Sequence, residues 1–336
     1  MKNVEASLKD KIRGMLVGLA VGDAIGAPVE FGYPSYVIKE EMDRLCHYHK
    51  NTAMPKGVWT DDTSMALCLA DSLINKRGYD SYDIMDKYCA WEFSGYRSFF
   101  PMGYGVGLHT DEAICEYAEK SPVIEKDAPE TESIANGCIM RLAPIIMANT
   151  RNSIENILEL AKLSARETHN STGSMAMTEL LAASLWLILQ GESKENLLAK
   201  SLELIKEPRL KNFLDEINDL HSHINDKKGD SLCDLGGYAV DCYDIAMWGL
   251  LNFDTFHYGL MGVISLGGDT DTNGAVYGQL AGAYYGYDKI PEEWRRDIYL
   301  ADELVEISDK LLELEKTPIL RTRFEDDAHF SRIDPK

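Results

Sequence analysis

The chain has 336 residues, 45% of them apolar and 26% charged, the proportions of a globular protein with room for one large domain or two ordinary ones. Its formal net charge of −21 argues against a surface that wraps nucleic acid or lies on anionic lipid, since both need Lys/Arg stripes. An anionic ligand would have to be met by backbone N–H groups or by a bound divalent cation.

The seven cysteines form no C-x-x-C pair and their number is odd, which argues against a disulfide framework or zinc knuckle and fits a reducing compartment. The N-terminus lacks an uninterrupted apolar signal region, and the apolar run Met15–Phe31 is broken by Asp23, Pro28 and Glu30. It reads as too short and polar to span a bilayer. The expectation is a cytoplasmic protein with no membrane partner.

Along the chain the period is helical. Gly14, Gly18, Gly22 and Gly26 recur every four residues on one helix face. Each costs a helix roughly 1 kcal/mol relative to Ala, so close approach of a second helix, or of a ligand, should offset it. Residues 63–75 are rich in helix formers, with Asp61-Asp62 just before them where an N-cap belongs. Residues 153–165 place Ile154, Ile157, Leu158, Ala161 and Leu163 mostly on one face, and 174–190, 194–206 and 301–314 read the same way. Strand-like alternation is scarce, so an all-α, compact multi-helix domain is expected over residues 1–314, with its core at about 10–300. The charge-dense stretch 191–231 reads as a solvated helical pair, and 315–336 as an appended polar tail.

Two short motifs carry the chemistry. Trp59-Thr60-Asp61-Asp62-Thr63 alone reads as a doubled N-cap. Gly267-Gly268-Asp269-Thr270-Asp271-Thr272-Asn273-Gly274 alone reads as a glycine turn with Asx caps. Its D-x-D-x-N-G opening also resembles a calcium loop, but the twelfth position, which needs a bidentate Glu, is Leu280. A phosphatase-type D-x-D nucleophile has Asn273 at its fifth position and lies too late in the chain. Together the motifs offer four carboxylates and two threonine hydroxyls, hard oxygen donors suited to Mg²⁺, Mn²⁺ or Ca²⁺. Four carboxylates balance two divalent ions, so a two-metal centre is the natural arrangement. The Gly103-Tyr104-Gly105-Val106-Gly107 loop reads either as a flexible turn or as an anion nest, Asn136–Arg141 as a helix start or an anion site, and His169 as a core hydrogen-bonder or a ligand contact.

In this order the pieces resemble the ADP-ribosylglycohydrolases of the dinitrogenase-reductase-activating type. The matching segments are Gly14–Glu30, Trp59–Thr63, Asn136–Pro144, Thr168-His169, Gly236–Val240 leading into Ala246-Met247-Trp248, and Ser265–Gly286 followed by Pro291 and Trp294. The resemblance implies an all-α fold, a binuclear Mg²⁺ or Mn²⁺ centre, and cleavage of the glycosidic bond between ADP-ribose and an acceptor on a protein or polymer. Carried over by position, Thr60, Asp61, Asp62, Asp269, Asp271 and Thr272 are the implied metal ligands. Gly103, Tyr104, Gly105, Ser133, Asn136, Gly137, Cys138 and His169 are the implied lining of the ADP-ribose cleft.

One departure shifts the implied catalyst. The nitrogenase-regulating enzymes carry a Phe-Asp-Ile-Gly segment in the loop near residue 105, and its Asp is a catalytic candidate. Here the loop has no carboxylate and resembles instead that of the third animal ADP-ribosyl-acceptor hydrolase, which acts on O-linked ADP-ribose, including serine adducts and poly(ADP-ribose). In that branch the glutamate at the position of Glu30 is the catalytic carboxylate. The resemblance therefore implies Glu30 as general base or proton shuttle, with Asp62 sharing proton handling, and favours an oxygen-linked acceptor over arginine. A metal-dependent phosphohydrolase and a catalytically silent ADP-ribose-binding relative are the alternative readings.

Overall fold

The computed structural model describes residues 2–31, 54–120, 134–205 and 237–324. Among the described residues there are thirteen α-helices and two very short strands. The first half holds α1 (Lys2–Gly26), α2 (Asp61–Lys76), α3 (Ser81–Ser94), α4 (Leu108–Lys120), α5 (Ala143–Met147) and α6 (Ile154–Arg166). The second holds α7 (Thr172–Leu189), α8 (Leu197–Leu204), α9 (Ala239–Asn252), α10 (Phe256–Ser265), α11 (Thr270–Tyr285), α12 (Glu292–Asp297) and α13 (Ala301–Leu312). This is the all-α architecture expected from the helical period.

Local chemistry explains the helix ends. The side chains of Asp80, Ser153, Ser171 and Thr255 each accept a bond from the backbone N–H three residues on, starting α3, α6, α7 and α10. Helix α6 is strongly amphipathic, burying Ile157, Leu158, Leu160, Ala161 and Leu163 while Glu155, Glu159 and Lys162 face outward or lie half-buried. Asp61 and Asp62 are a different case. They sit inside the first turn of α2 and do not precede it, and Thr60 is the N-cap without a side-chain cap bond of its own.

The centre of the molecule is the pairing of α1 with α11. A methyl group placed on Gly14, Gly18 or Gly22 would lie 2.1, 2.3 or 1.9 Å from the carbonyl oxygen of Gly282, Gly278 or Gly274. The converse holds: Gly274, Gly278 and Gly282 press on the carbonyls of Gly22, Gly18 and Gly14 at 2.4, 2.0 and 1.9 Å. The two helices run antiparallel in backbone-to-backbone contact, closer than any side chain permits. Helix–helix approach is therefore what offsets the glycines' helical cost, as the four-residue spacing suggested. At the end of the stripe, Gly26 packs on the Thr270 carbonyl, and Thr270 Oγ1 donates to the Gly26 carbonyl at 2.8 Å.

Two expectations are corrected. Segments 8–29 and 172–189 are long and apolar enough to cross a membrane, so the break at Asp23 did not disqualify the first. They are 83% and 72% buried inside the fold, as core helices are. The stretch after residue 314 is also no loose polar tail, at least as far as Phe324. Residues Ile319–Arg321 (β2) pair in parallel with Tyr79–Asp80 (β1), Thr317 is held by Asn149, and Phe324 is buried. Arg321 donates to Asp80 Oδ2 at 2.6 and 2.9 Å, and Arg323 pairs with the fully buried Glu167 at 3.3 Å. Hydrophobic period missed this segment because ion pairs to buried carboxylates hold it. Of the charge-dense stretch, residues to 205 form a 3₁₀ turn (Lys194–Asn196) and α8, with Lys194-Glu195 at least partly solvated; 206–231 lie outside the described residues.

The glycine contact makes a prediction. Ala is the better helix former by roughly 1 kcal/mol, yet Gly278→Ala should destabilise the protein by about 1–3 kcal/mol because α1 and α11 must separate. Urea unfolding checks this, and a midpoint equal to or above that of the unmodified protein would show that the helices part freely.

Candidate metal centre and substrate cleft

The α1–α11 contact delivers one end of each helix to the same place. Helix α1 ends in a 3₁₀ turn, Ala27–Val29, that leads to Glu30. Helix α11 is preceded by Gly267 and Gly268, both in the left-handed region (φ 77° and 74°) that suits glycine. The Phe31 N–H donates to the Gly268 carbonyl at 2.7 Å, fixing Glu30 beside that turn. Carboxylate oxygens of Glu30, Asp269 and Asp271 consequently lie within 4.8 Å of one another.

The second motif is brought in by Asp23, which is completely buried on α1. Its Oδ1 accepts from the Thr60 N–H (2.9 Å) and hydroxyl (2.8 Å), and its Oδ2 from the Thr63 N–H (3.0 Å) and hydroxyl (2.7 Å). Asp23 thus caps α2 from a neighbouring helix and sets the position of Asp61 and Asp62. Thr60 Oγ1 lies 3.3 Å from Asp62 Oδ2 and 3.4 Å from Asp271 Oδ2, so the two motifs meet. Asp269 Oδ2 accepts from Asn136 Nδ2 (2.8 Å) and the Gly237 N–H (3.1 Å). An isolated bridge, Ala135 to Tyr238, places both donors.

The electrostatics fit a hard cation. Asp61, Asp62, Asp269, Asp271 and Thr272 are buried, and no Lys or Arg pairs with these carboxylates among the described residues. Asp62 Oδ1 is buried with no hydrogen-bond partner. Burial pushes the carboxyls of Asp61, Asp62 and Asp271 well above the ordinary range, and neighbouring carboxylates push them further. Burial, then the charges of Asp269 and Asp23, raise Glu30 to about 7. Four clustered oxygen-donor carboxylates without a cation are what a divalent ion of the Mg²⁺ or Mn²⁺ kind would neutralise, and all six side chains implied as ligands by sequence lie here. Glu30 joins them as a further potential donor, a role the sequence reading did not give it. Leu280, by contrast, is fully buried in the core of α11, which disposes of the calcium-loop reading.

These carboxylates open on a cavity of about 430 Å³, large enough for a nucleotide-sized ligand. Glu30, Asp61, Asp269, Asp271 and Thr272 form one side of it, while Thr60 and Asp62 are buried behind. Gly105 (φ 90°) lines it too, and a methyl group there would lie 2.7 Å from Asp61 Oδ1, so glycine lets the loop touch the carboxylates. Asn136, Gly137 and His169 complete the predicted lining that the structure brings together.

Three of the remaining predicted lining residues are placed elsewhere. Gly103 is tied by its N–H to the Glu92 carbonyl, and Tyr104 stacks on Phe100 with ring centroids 4.3 Å apart, so the first half of the glycine loop anchors it to α3. Cys138 is fully buried and directs its thiol at the Ala135 and Ser174 carbonyls, into the core. Ser133 lies outside the described residues. Asn136–Cys138 is a single 3₁₀ turn and not the start of an α-helix, so it offers no helix-terminal anion site; the Asn136 side chain serves Asp269. Sequence reasoning did not single out His109 and Thr110, which line the cavity, because the glycine loop is followed by nothing resembling a motif. Nor did it assign a role to Asp23, which lay within a recognised segment and looked like a spacer.

The fold is an all-helical scaffold that gathers buried carboxylates from two helix starts at one side of a ligand-sized cavity, a group that could hold a metal ion. The family model for ADP-ribosylglycohydrolase matches residues 4–320, and the chain belongs to that family. It is 30% identical to the ADP-ribosylarginine hydrolase Tri1 of Serratia proteamaculans, over 91% of this chain and 80% of that protein. It is 30% identical to the ADP-ribosyl-[dinitrogen reductase] glycohydrolase of Rhodospirillum rubrum, over 92% and 97%, and 27% identical to the ADP-ribosylhydrolase ARH3 of Homo sapiens, over 85% and 88%. A solved structure described as an ADP-ribosylglycohydrolase-related protein complex superposes with a TM-score of 0.74 at 34% identity, covering 93% of this chain and all of that one. The protein is accordingly a glycosidic-bond hydrolase of the ADP-ribosylhydrolase class.

Because the Glu30 carboxyl is raised in the folded state, its contribution to stability is complete below its ordinary value of 4.5 and is lost as pH rises through about 7. The raised Asp61, Asp62 and Asp271 act in the same direction. In EDTA the melting temperature should therefore fall as pH rises from about 4.5 through about 7. Added Mg²⁺ or Mn²⁺ should raise it, and more so at the higher pH. Melting temperatures that ignore both pH and metal would contradict the charge cluster.

Proposed function

We propose that the protein hydrolyses the bond between the anomeric carbon of ADP-ribose and an oxygen-linked acceptor such as serine or another ADP-ribose unit. The observation that carries this is the meeting of Glu30 with Asp269 and Asp271 at the wall of a nucleotide-sized cavity, beside a glycine loop that has no carboxylate of its own. Thr60, Asp61, Asp62, Asp269, Asp271 and Thr272 would hold two Mg²⁺ or Mn²⁺ ions. When bound, such ions supply the positive charge that an acidic chain lacks and orient vicinal ribose hydroxyls.

The chain's own groups divide the remaining work. Burial raises the Glu30 carboxyl to about 7 in the metal-free protein, and from the cavity wall Glu30 would serve as general base toward water and then as donor to the departing acceptor. Bond cleavage builds oxocarbenium character at the anomeric carbon, which the surrounding carboxylates favour. Asn136 and the Gly237 N–H hold Asp269 in orientation. Gly105 and Gly107 line the cavity and bring no side chain to it, so a diphosphate could approach their backbone. Arginine is the second reading for the acceptor, favoured by the name of the Serratia relative.

Incubation with serine-, arginine- and poly-ADP-ribosylated substrates, with and without EDTA, discriminates these readings. ADP-ribose released fastest from serine or polymer, and only without EDTA, is expected; release from arginine alone would replace the acceptor assignment. Free phosphate as the product would remove the glycosidase reading. Glu30→Gln should lower turnover by about 10²–10⁴ while calorimetry still detects metal at the aspartates. Asp271→Ala should lose metal and activity together, and undiminished Mg²⁺ binding by it would take Asp271 out of the centre.

A further inference from the structure

His169 lines the cavity, but what it can offer a ligand depends on which ring nitrogen carries the proton, and the residues behind it decide that. Arg141 is completely buried and sits over the Tyr88 ring, 5.0 Å from its centroid. Its Nη1 donates to the Gly137 carbonyl at 2.7 Å, and its Nη2 to the Thr168 hydroxyl at 2.6 Å and the Ser164 carbonyl at 3.3 Å. A guanidinium has only donors, so the Thr168 oxygen must accept. That hydroxyl is also 2.7 Å from His169 Nδ1. If Nδ1 carried a proton, Thr168 would accept twice and its own hydrogen would be left buried without an acceptor among the described residues. With Nδ1 bare, the Thr168 hydroxyl is used in both directions: Arg141 donates to Thr168 and Thr168 donates to Nδ1.

We infer that Arg141 and Thr168 are positioning residues that lock His169 as the neutral Nε2–H tautomer, making it a fixed hydrogen-bond donor to an acceptor oxygen of the ligand. The ring lies over Gly137, whose hypothetical Cβ would be 2.8 Å from His169 Cε1 and 3.1 Å from Nε2. Gly137 lines the same cavity, and the same guanidinium therefore fixes both the ring and the backbone beneath it. Burial first, then the nearby charge of Arg141 and the adjacent His109, depress the basicity of His169. A neutral ring whose Nε2 already bears a proton, and whose Nδ1 is occupied by Thr168, cannot act as a general base, which leaves proton exchange to Glu30.

The inference rests on the cavity being the ADP-ribose cleft only for the identity of the ligand. Long-range ¹H–¹⁵N correlation spectra of ¹⁵N-histidine-labelled, ligand-free protein read the tautomer directly, with the His169 signals assigned by their loss in His169→Asn. The expected result is a pure Nε2–H tautomer at neutral pH. Thr168→Val should shift it toward Nδ1–H and raise the Kd for ADP-ribose about tenfold, the loss of one well-placed hydrogen bond. Thr168→Ser should restore both. An Nδ1–H or doubly protonated ring in the unmodified protein overturns the lock, as does a Thr168→Val protein that keeps both tautomer and affinity. Should Thr168→Val fail to fold, the unmodified protein's tautomer decides alone. Failure of the unmodified protein to bind ADP-ribose would overturn the substrate reading, and the ligand-free spectrum would still decide the lock.

Discussion

The backbone contact between α1 and α11 is the constraint from which the rest of the structure follows. Six glycines, three on each helix, are what permit it, each pressed against a carbonyl of the other helix. Helices so close have almost no freedom to slide or rotate, because any displacement brings backbone against backbone. Asp23, Glu30, Asp269 and Asp271 are all carried on these two helices or on their ends. The stripe of glycine therefore acts as the datum against which the carboxylates are placed, although no glycine of the stripe itself touches the cavity.

Holding several carboxylates together in a buried place is electrostatically unfavourable unless a cation joins them. The structure commits hydrogen bonds to this arrangement. Asp23 accepts four, Asp269 receives two at one oxygen, and Thr60 bridges toward both motifs. One oxygen of Asp62 is left with none among the described residues. The donors already present fix orientation, and the charge that remains is what a divalent ion would meet. The acidity of the whole chain is compatible with an anionic ligand on these terms, since the cation and the backbone of the glycine loop can receive it where surface lysines do not.

Legibility in the sequence followed the kind of interaction involved. Helices with a clear apolar period, such as 154–166 and 301–312, were readable to within a residue or two, and the four-residue glycine repeat announced a close helical neighbour without saying which. The aspartate motifs were readable as a pair, and the structure brings the two together through Thr60 and Asp271. Asp23 was not, since capping a helix from thirty-seven residues away leaves no local signature. Gly103, Tyr104 and Cys138 were carried over from the resemblance with their neighbours Gly105 and Gly137, yet only those neighbours line the cavity, because a loop and a 3₁₀ turn change the direction of successive side chains. The segment 317–324 was misread because polar composition suggested solvent, whereas its arginines satisfy buried Asp80 and Glu167.

The pairing of α1 with α11 also orders events in time. Gly22 and Gly274 are about 250 residues apart, so at translation rates of ~5–20 residues per second the first helix leaves the ribosome roughly 10–50 s before its partner exists. Through that interval the glycine face of the first helix has no native partner, and the pairing of Glu167 with Arg323 comes only after α11 has been made. The carboxylate cluster and the cavity beside it are thus assembled only after α11 has been made. Until then the chain holds only one of the two backbones against which its carboxylates are placed.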